Sequence, residues 1–245
     1  MDAAQLDGGV GAPVPLDARL ENDLPALRAR LGARTRAVFL VNPHNPSGTT
    51  SRAADFHVFV EFAARVAPVI VDEAYIEYTA DHQERSVVRH ARPDGRVIVF
   101  RTFTKFYGLA ALPLGYAIAP PDVARSLREQ GLGASRSQNR LAVVAARASL
   151  EDAAYADRAR RQVAEERARW FELLDGLSVK RSDAVANFVF VRAGRPQASL
   201  AAAFAERGID IGRAFPPLDD WARISIGLPE ENARARRALR EIMSS

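Results

Sequence analysis

Short apolar runs alternate with longer amphipathic stretches through the first half of the chain. Residues 38–41 (Val-Phe-Leu-Val), 69–71 (Val-Ile-Val) and 97–101 (Val-Ile-Val-Phe-Arg) read as buried strands. Residues 114–119 read as a further strand, stopped by Pro120-Pro121. A short helix is expected over 24–31 and an amphipathic one over 52–66. Apolar runs separated by helical segments predict an α/β sheet with covered faces. From residue 122 the pattern turns helical, over 122–130, 138–149 and a long charged stretch at 153–174. Strands follow at 187–191 and 222–226. A helix at 200–207 ends at Gly208, and a terminal helix at 229–242 has Pro229 near its start. The division expected is 1–150 for a large α/β domain and 151–245 for a connecting helix and a small α+β domain. The first 16 residues, rich in Gly and Pro, are expected to be irregular, and no internal repeat is visible.

The chain has 245 residues, 48% hydrophobic and 26% charged, an ordinary balance for a globular protein with a substantial core. No apolar run is long enough to cross a bilayer, and the start has no basic segment followed by an apolar stretch, so a cytoplasmic location is expected. Cysteine is absent, which excludes disulfides, thiolate metal sites and a cysteine nucleophile. The formal charge is +4, but the arginines are scattered among alanine and glutamate, as in 158–167. That pattern is a solvated helix face, and neither nucleic acid nor membrane is expected as a partner. Against this arginine-rich background there are two lysines, Lys105 and Lys180. Lys105 directly follows the apolar run ending in Arg101-Thr102-Phe103-Thr104. On the residues alone it is either a strand-end lysine snorkelling to water or one kept for its chemistry.

Asn45, Asp72 and Lys105 all fall just beyond the carboxyl ends of expected strands, where open α/β sheets bind ligands. Four segments then carry a resemblance: Asn42-Pro43-His44-Asn45-Pro46-Ser47-Gly48; Asp72-Glu73-Ala74-Tyr75; Thr102-Phe103-Thr104-Lys105 with Gly108-Leu109-Ala110; and Arg223-Ile224-Ser225-Ile226-Gly227. In this order and spacing they resemble the fold-type I, class I/II pyridoxal-phosphate-dependent aminotransferases, in particular the histidinol-phosphate aminotransferase-like branch. The similarity runs over residues 14–243.

The resemblance implies a partial large domain of the pyridoxal-phosphate transferase fold, a mainly parallel sheet with helices, followed by the small C-terminal domain. It implies pyridoxal 5'-phosphate held by Lys105 as a Schiff base, with Asp72 as the anionic partner of the pyridine nitrogen. Asn45 and Tyr75 match the residues that hydrogen-bond the cofactor's ring oxygen. Thr102, and with it Thr104, match hydroxyls that reach the phosphate. Arg223 matches the arginine that grips the substrate α-carboxylate with a planar fork. Asn187 resembles a small-domain asparagine near the substrate. Arg213 is a candidate for a substrate anion, although it follows Gly212, where the family arginine is expected. Glu73 is expected to be structural. Without the resemblance, Asp72 is equally a turn cap, Asn45 a turn residue, Tyr75 an interior aromatic and Arg223 a strand arginine in an ion pair.

The implied reaction is transamination between an amino acid or histidinol-phosphate-like amine and a 2-oxo acid, in a homodimer. Alternatives are a decarboxylase or lyase similar to the cobalamin-pathway member of this fold, and a truncated noncatalytic binding protein. Two departures stand out. The position eight residues after Lys105, an arginine in the family, is Pro113, which brings neither charge nor N–H; Arg101 is not assumed to replace it. Residues 14–41 resemble a stretch well inside the family's large domain. The N-terminal arm, the first phosphate loop and the aromatic that stacks on the pyridine would lie upstream. Open backbone edges and uncovered apolar faces are therefore expected in the sheet.

Overall fold

The computed structural model describes residues 8–133 and 138–244, so the first seven residues of the segment expected to be irregular lie outside it. Its elements are α1 (Leu24–Arg30), β1 (Val38–Val41), α2 (Ala53–Val66), β2 (Val69–Asp72), a 3-10 turn (Ile76–Tyr78), α3 (His82–Arg85) and a second 3-10 turn (Val87–His90). Then come β3 (Val97–Thr102), β4 (Gly115–Ile118), α4 (Pro121–Glu129), α5 (Arg140–Glu151), α6 (Ala153–Gly176) and β5 (Lys180–Arg181). The order ends with β6 (Phe188–Arg192), α7 (Gln197–Ala205), β7 (Ala222–Ser225) and α8 (Pro229–Ser244).

Two sheets organise the chain. The first has the order β1-β2-β3-β4, with β1, β2 and β3 parallel and β4 antiparallel at an edge. Val38, Leu40, Val69, Val71, Val97 and Val99 share one face by register. They pack with Phe56, Phe59, Val60 and Ala63, the inward stripe of α2. The opposite face carries Phe39, Ile70, Ile98, Phe100 and Ala117 by the same alternation. There Phe39 is 61% exposed and Phe100 40%. Thus, among the described residues, only one side of this sheet is well covered, although parallel sheets are ordinarily buried on both. β4 is an open edge with Gly115, Tyr116 and Ala117 exposed.

The second sheet, β5-β6-β7, is antiparallel throughout. Its core joins Val189, Val191 and Ile224 to Trp170 and Leu174 of α6, Leu200 and Phe204 of α7, and Leu239 and Ile242 of α8. Asp152 caps α6 by accepting the Tyr155 N–H at 2.8 Å. Glu166, buried in this unit, is neutralised by Arg236 at 2.7 Å and by Arg169.

The strands and long helices expected from the sequence are present with ends shifted by a few residues, as helix fraying allows. α7 begins at Gln197 rather than 200, because Pro196 precedes it as the cap residue and Gln197 is fixed through Nε2 to the Gly212 carbonyl at 2.7 Å. The stretch after Glu73, expected as a polar loop, instead holds α3 and both 3-10 turns.

The two sheet units meet at a tight joint. Ser182 Oγ donates to the Ser47 carbonyl at 2.6 Å, and Val185 N–H to the Gly48 carbonyl at 2.8 Å. Gly48 has φ +72°, and a Cβ there would lie 2.6 Å from Ala184 Cβ, so no side chain fits. Beside it, Tyr75, Tyr78 and Phe106 pack with Ala186 and Phe188. α6 spans the joint: Arg160 Nε donates to the Glu77 carbonyl at 2.9 Å and Arg167 Nη1 to the Ala186 carbonyl at 3.0 Å. Among the described residues no helix is long and apolar enough to cross a membrane.

Candidate active site

The joint gathers the polar residues singled out from the sequence. Asn45 lies in the turn after β1. That turn is braced by Ser47 Oγ and Thr49 Oγ1, both donating to the Leu20 carbonyl, and by His44 Nδ1 at 2.9 Å from Ser47 Oγ. Burial pushes His44 down to about 4, so its ring is neutral and its Nδ1–H donates to Ser47.

Arg223 reaches from β7 across the joint, and its Nη1 donates to Asn45 Oδ1 at 2.7 Å. This bond orients the Asn45 amide and leaves its NH2 group to donate elsewhere. The Arg223 guanidinium lies 5.1 Å from the ring centres of both Phe188 and Phe215. Its Nε is buried without a partner. An orphaned, buried, charged donor is costly, and an incoming carboxylate would satisfy it. Tyr75 packs edge-on to Phe188 at 5.3 Å. Burial pushes its phenol up, and the nearby positive charge of Arg223 opposes the shift. Asn45, Tyr75 and Arg223 therefore form one group, although 178 residues separate the first from the last.

The sheet supplies the other half. Asp72 pairs in register with Phe100, so Asp72 and Thr102, two positions further along β3, project from the same face at the carboxyl ends of neighbouring strands. Asp72 Oδ1 accepts the Ala74 N–H at 2.9 Å, a turn cap that fixes the carboxylate. Thr102 Oγ1 lies 2.9 Å from Thr104 Oγ1 and 3.2 Å from the Leu114 carbonyl, and it accepts the Thr104 N–H at 3.1 Å. Lys105 follows in the same turn. It is exposed and makes no ion pair among the described residues, while its neighbour Phe106 is buried in the joint and anchors the backbone. Phe106 packs edge-on against Tyr78 at 5.2 Å, with Arg160 5.1 Å from its ring centre.

Arg101 does not share that face. It alternates away from Thr102, and its Nε and Nη2 donate to Glu73 Oε2 at 3.1 and 2.8 Å, with Nη1 3.6 Å from Glu77 Oε1. Its guanidinium is thus committed to Glu73 and Glu77 and points away from Thr102. Glu73 also accepts from Ser86 Oγ and the Val87 N–H at 2.8 and 2.7 Å, a structural pin. Glu77 keeps Oε2 without a partner, and burial pushes it up to about 7 against the pull of Arg101.

Asn187 is half-buried just before β6, with its carbonyl accepting the Ile226 N–H at 2.8 Å. Arg213 is exposed, bonds the adjacent Ala214 carbonyl at 3.1 Å and lies 4.5 Å from the Phe215 ring centre. It shares that ring with Arg223 but does not touch the Asn45 group. Position 212 itself leaves no room for a side chain: Gly212 N–H donates to the Arg223 carbonyl at 2.9 Å, and a Cβ at 212 would meet that oxygen at 2.7 Å. The sequence reading missed the two aromatic faces on Arg223 and the double duty of Arg101. Phe188, directly after Asn187, was the available signal for the first; the second depends on contacts 28 residues apart. Among the described residues no group of three or more His, Cys, Asp or Glu is placed to hold a metal.

Residues 2–239 match the family model for aminotransferase class I and II. The chain is 35% identical over 245 residues to a histidinol-phosphate aminotransferase of Moorella thermoacetica, covering 99% of this chain and 62% of that protein. It is 36% identical over 228 residues to an aromatic amino acid aminotransferase of Rhodococcus jostii, covering 93% and 62%. The histidinol-phosphate aminotransferase of Sinorhizobium meliloti, solved in complex with pyridoxal-5'-phosphate, superposes with a TM-score of 0.85 at 28% identity. That match covers 97% of this chain and 65% of the solved one. The chain thus spans about two thirds of the length of each of these proteins.

Proposed function

Because the chain belongs to the class I and II aminotransferases, we propose that it holds pyridoxal 5'-phosphate at Lys105 and serves transamination between an amino acid or histidinol-phosphate-like amine and a 2-oxo acid. The observation that carries this reading is the Asn45–Arg223 bond beside Tyr75, with the Arg223 Nε left buried and unsatisfied. A carboxylate-bearing substrate supplies the missing partner, and the residues present fit the cofactor around it.

Pyridoxal phosphate supplies an electron sink for a carbanion at the amine-bearing carbon. The protein's part is to hold, orient and move a proton. The Lys105 ε-amine would hold the cofactor and, as a free amine, would take up and give back the proton at the substrate's amine-bearing carbon. Asp72, fixed by its cap on Ala74, would serve as the anionic partner of the ring nitrogen. The Asn45 amide NH2 and the Tyr75 hydroxyl donate to the ring oxygen. The Thr102–Thr104 hydroxyl pair, 2.9 Å apart, would serve the phosphate. Arg223 orients the substrate carboxylate with its Nε side, since Nη1 is held by Asn45. Asn187 and Arg213 are placed further out, along the small-domain side.

Titration of the purified chain with pyridoxal phosphate tests this reading by visible absorption. A saturable absorption band that disappears in Lys105→Ala is expected. A band of equal strength in Lys105→Ala, or none at saturating cofactor, refutes it.

A further inference from the structure

Away from this site, two histidines meet in the interior, His57 of α2 and His90 at the end of the second 3-10 turn. His57 Nδ1 lies 2.8 Å from His90 Nε2, and the ring centres are 5.0 Å apart, so the rings meet nearly nitrogen to nitrogen. Both side chains are buried. The outer nitrogens face acceptors. His57 Nε2 is 2.8 Å from the Glu84 carbonyl, and His90 Nδ1 is 3.3 Å from Glu61 Oε1 without a hydrogen bond.

Proton counting fixes the tautomers. A carbonyl only accepts, so His57 carries its hydrogen on Nε2, and its Nδ1 must accept from His90 Nε2–H. The neutral pair therefore has two protons for three gaps, and the His90 Nδ1 lone pair faces a carboxylate. Glu61 Oε1 has a second cation within reach, Arg92 Nη2 at 3.6 Å. We propose that the His57–His90 pair is a proton-operated latch: uptake of one solvent proton fills the third gap and draws the Glu61 carboxylate from Arg92 onto His90.

The charged groups that bear on His90 are His57 and Glu61 of α2 together with Arg89 and Arg92. Burial holds His90 below its ordinary value, His57 and the arginines push the same way, and Glu61 opposes them. The segment held by the latch also touches the candidate site's supports. Arg85 donates to Thr50 Oγ1 at 2.9 Å and to the Ser51 carbonyl at 3.2 Å, while Ser86 and Val87 hold Glu73.

Imidazole nitrogen NMR on the full chain reads each proton directly. In neutral and alkaline solution both Nδ1 atoms should be unprotonated. On acidification, His90 Nδ1 should gain its proton in one step, below the ordinary histidine midpoint. Glu61→Gln should lower that midpoint by about half a pH unit or more, and Arg92→Gln should raise it. Both changes are at exposed side chains, so folding is not at stake. Thermal stability gives an independent readout. Because the folded midpoint is depressed, stability falls as pH drops through the window between the ordinary and folded values. Glu61→Gln should deepen that loss. A midpoint and a stability profile unchanged by Glu61→Gln, or a His90 Nδ1 already protonated in alkaline solution, would overturn the latch.

Discussion

The two sheet units differ in how completely they bury themselves. In the β5–β7 unit, β6 is buried at four successive positions from Phe188 to Val191, flanked by α6, α7 and α8. In the β1–β4 unit, α2 covers one face while Phe39 and Phe100 remain exposed on the other and β4 stands as an open edge. The candidate site draws on both. Arg223 comes from the well-packed unit, whereas Asp72, Thr102 and Lys105 come from the half-covered one. On the proposed reading, the substrate side of the site rests on a firm core and the cofactor side on a thinner one, joined through Gly48 and Phe188.

The contrast can be broken by mutation. The largest effect is expected from Phe204→Ala, which empties a fully buried position and should cost about 3–5 kcal/mol in urea unfolding. A cost under about 1 kcal/mol would mean that the C-terminal core is looser than its packing indicates. An intermediate, pH-dependent effect is expected at Glu77. Burial raises its folded value to about 7 from the ordinary value near 4.5, so between these the native state holds a proton that the unfolded chain has lost. Stability should therefore fall as pH rises from about 4.5 to 7 and level off above. Glu77→Gln should remove this component while leaving the opposite slope of His90; an unchanged profile would count against a buried, protonated Glu77. The smallest effect is expected from Phe39→Ser, within about 0.5 kcal/mol because the ring is mostly exposed. A destabilisation of several kcal/mol would show that this face is covered in solution.

Much of the architecture was legible in the sequence, because strands such as Val69-Ile70-Val71 and the α2 stripe declare themselves through local apolar spacing. The expected uncovered face and open edge are visible at Phe39, Phe100 and β4. The segment from Glu73 to His90 was not legible. Glu73 reads as structural in the sequence, but its partners do not show there, since it is held by Arg101, a strand residue 28 positions away. The candidate site was legible as a set of residue types at strand ends. Its assembly was not, since the Asn45–Arg223 bond and the two aromatic faces on Arg223 arise only when the units dock. The exclusion of a side chain at Gly212 by the Arg223 carbonyl is equally a property of the folded pair β6–β7 and the segment before it.

The presence of two lysines, Lys105 and Lys180, makes the central claim directly measurable. Incubation with pyridoxal phosphate, reduction with borohydride and peptide mass mapping would locate the trapped cofactor. The account predicts a single adduct on Lys105, diminished when an amino-acid substrate competes and restored toward its substrate-free level in Arg223→Ala. An adduct confined to Lys180, or no adduct at saturating cofactor, would contradict it.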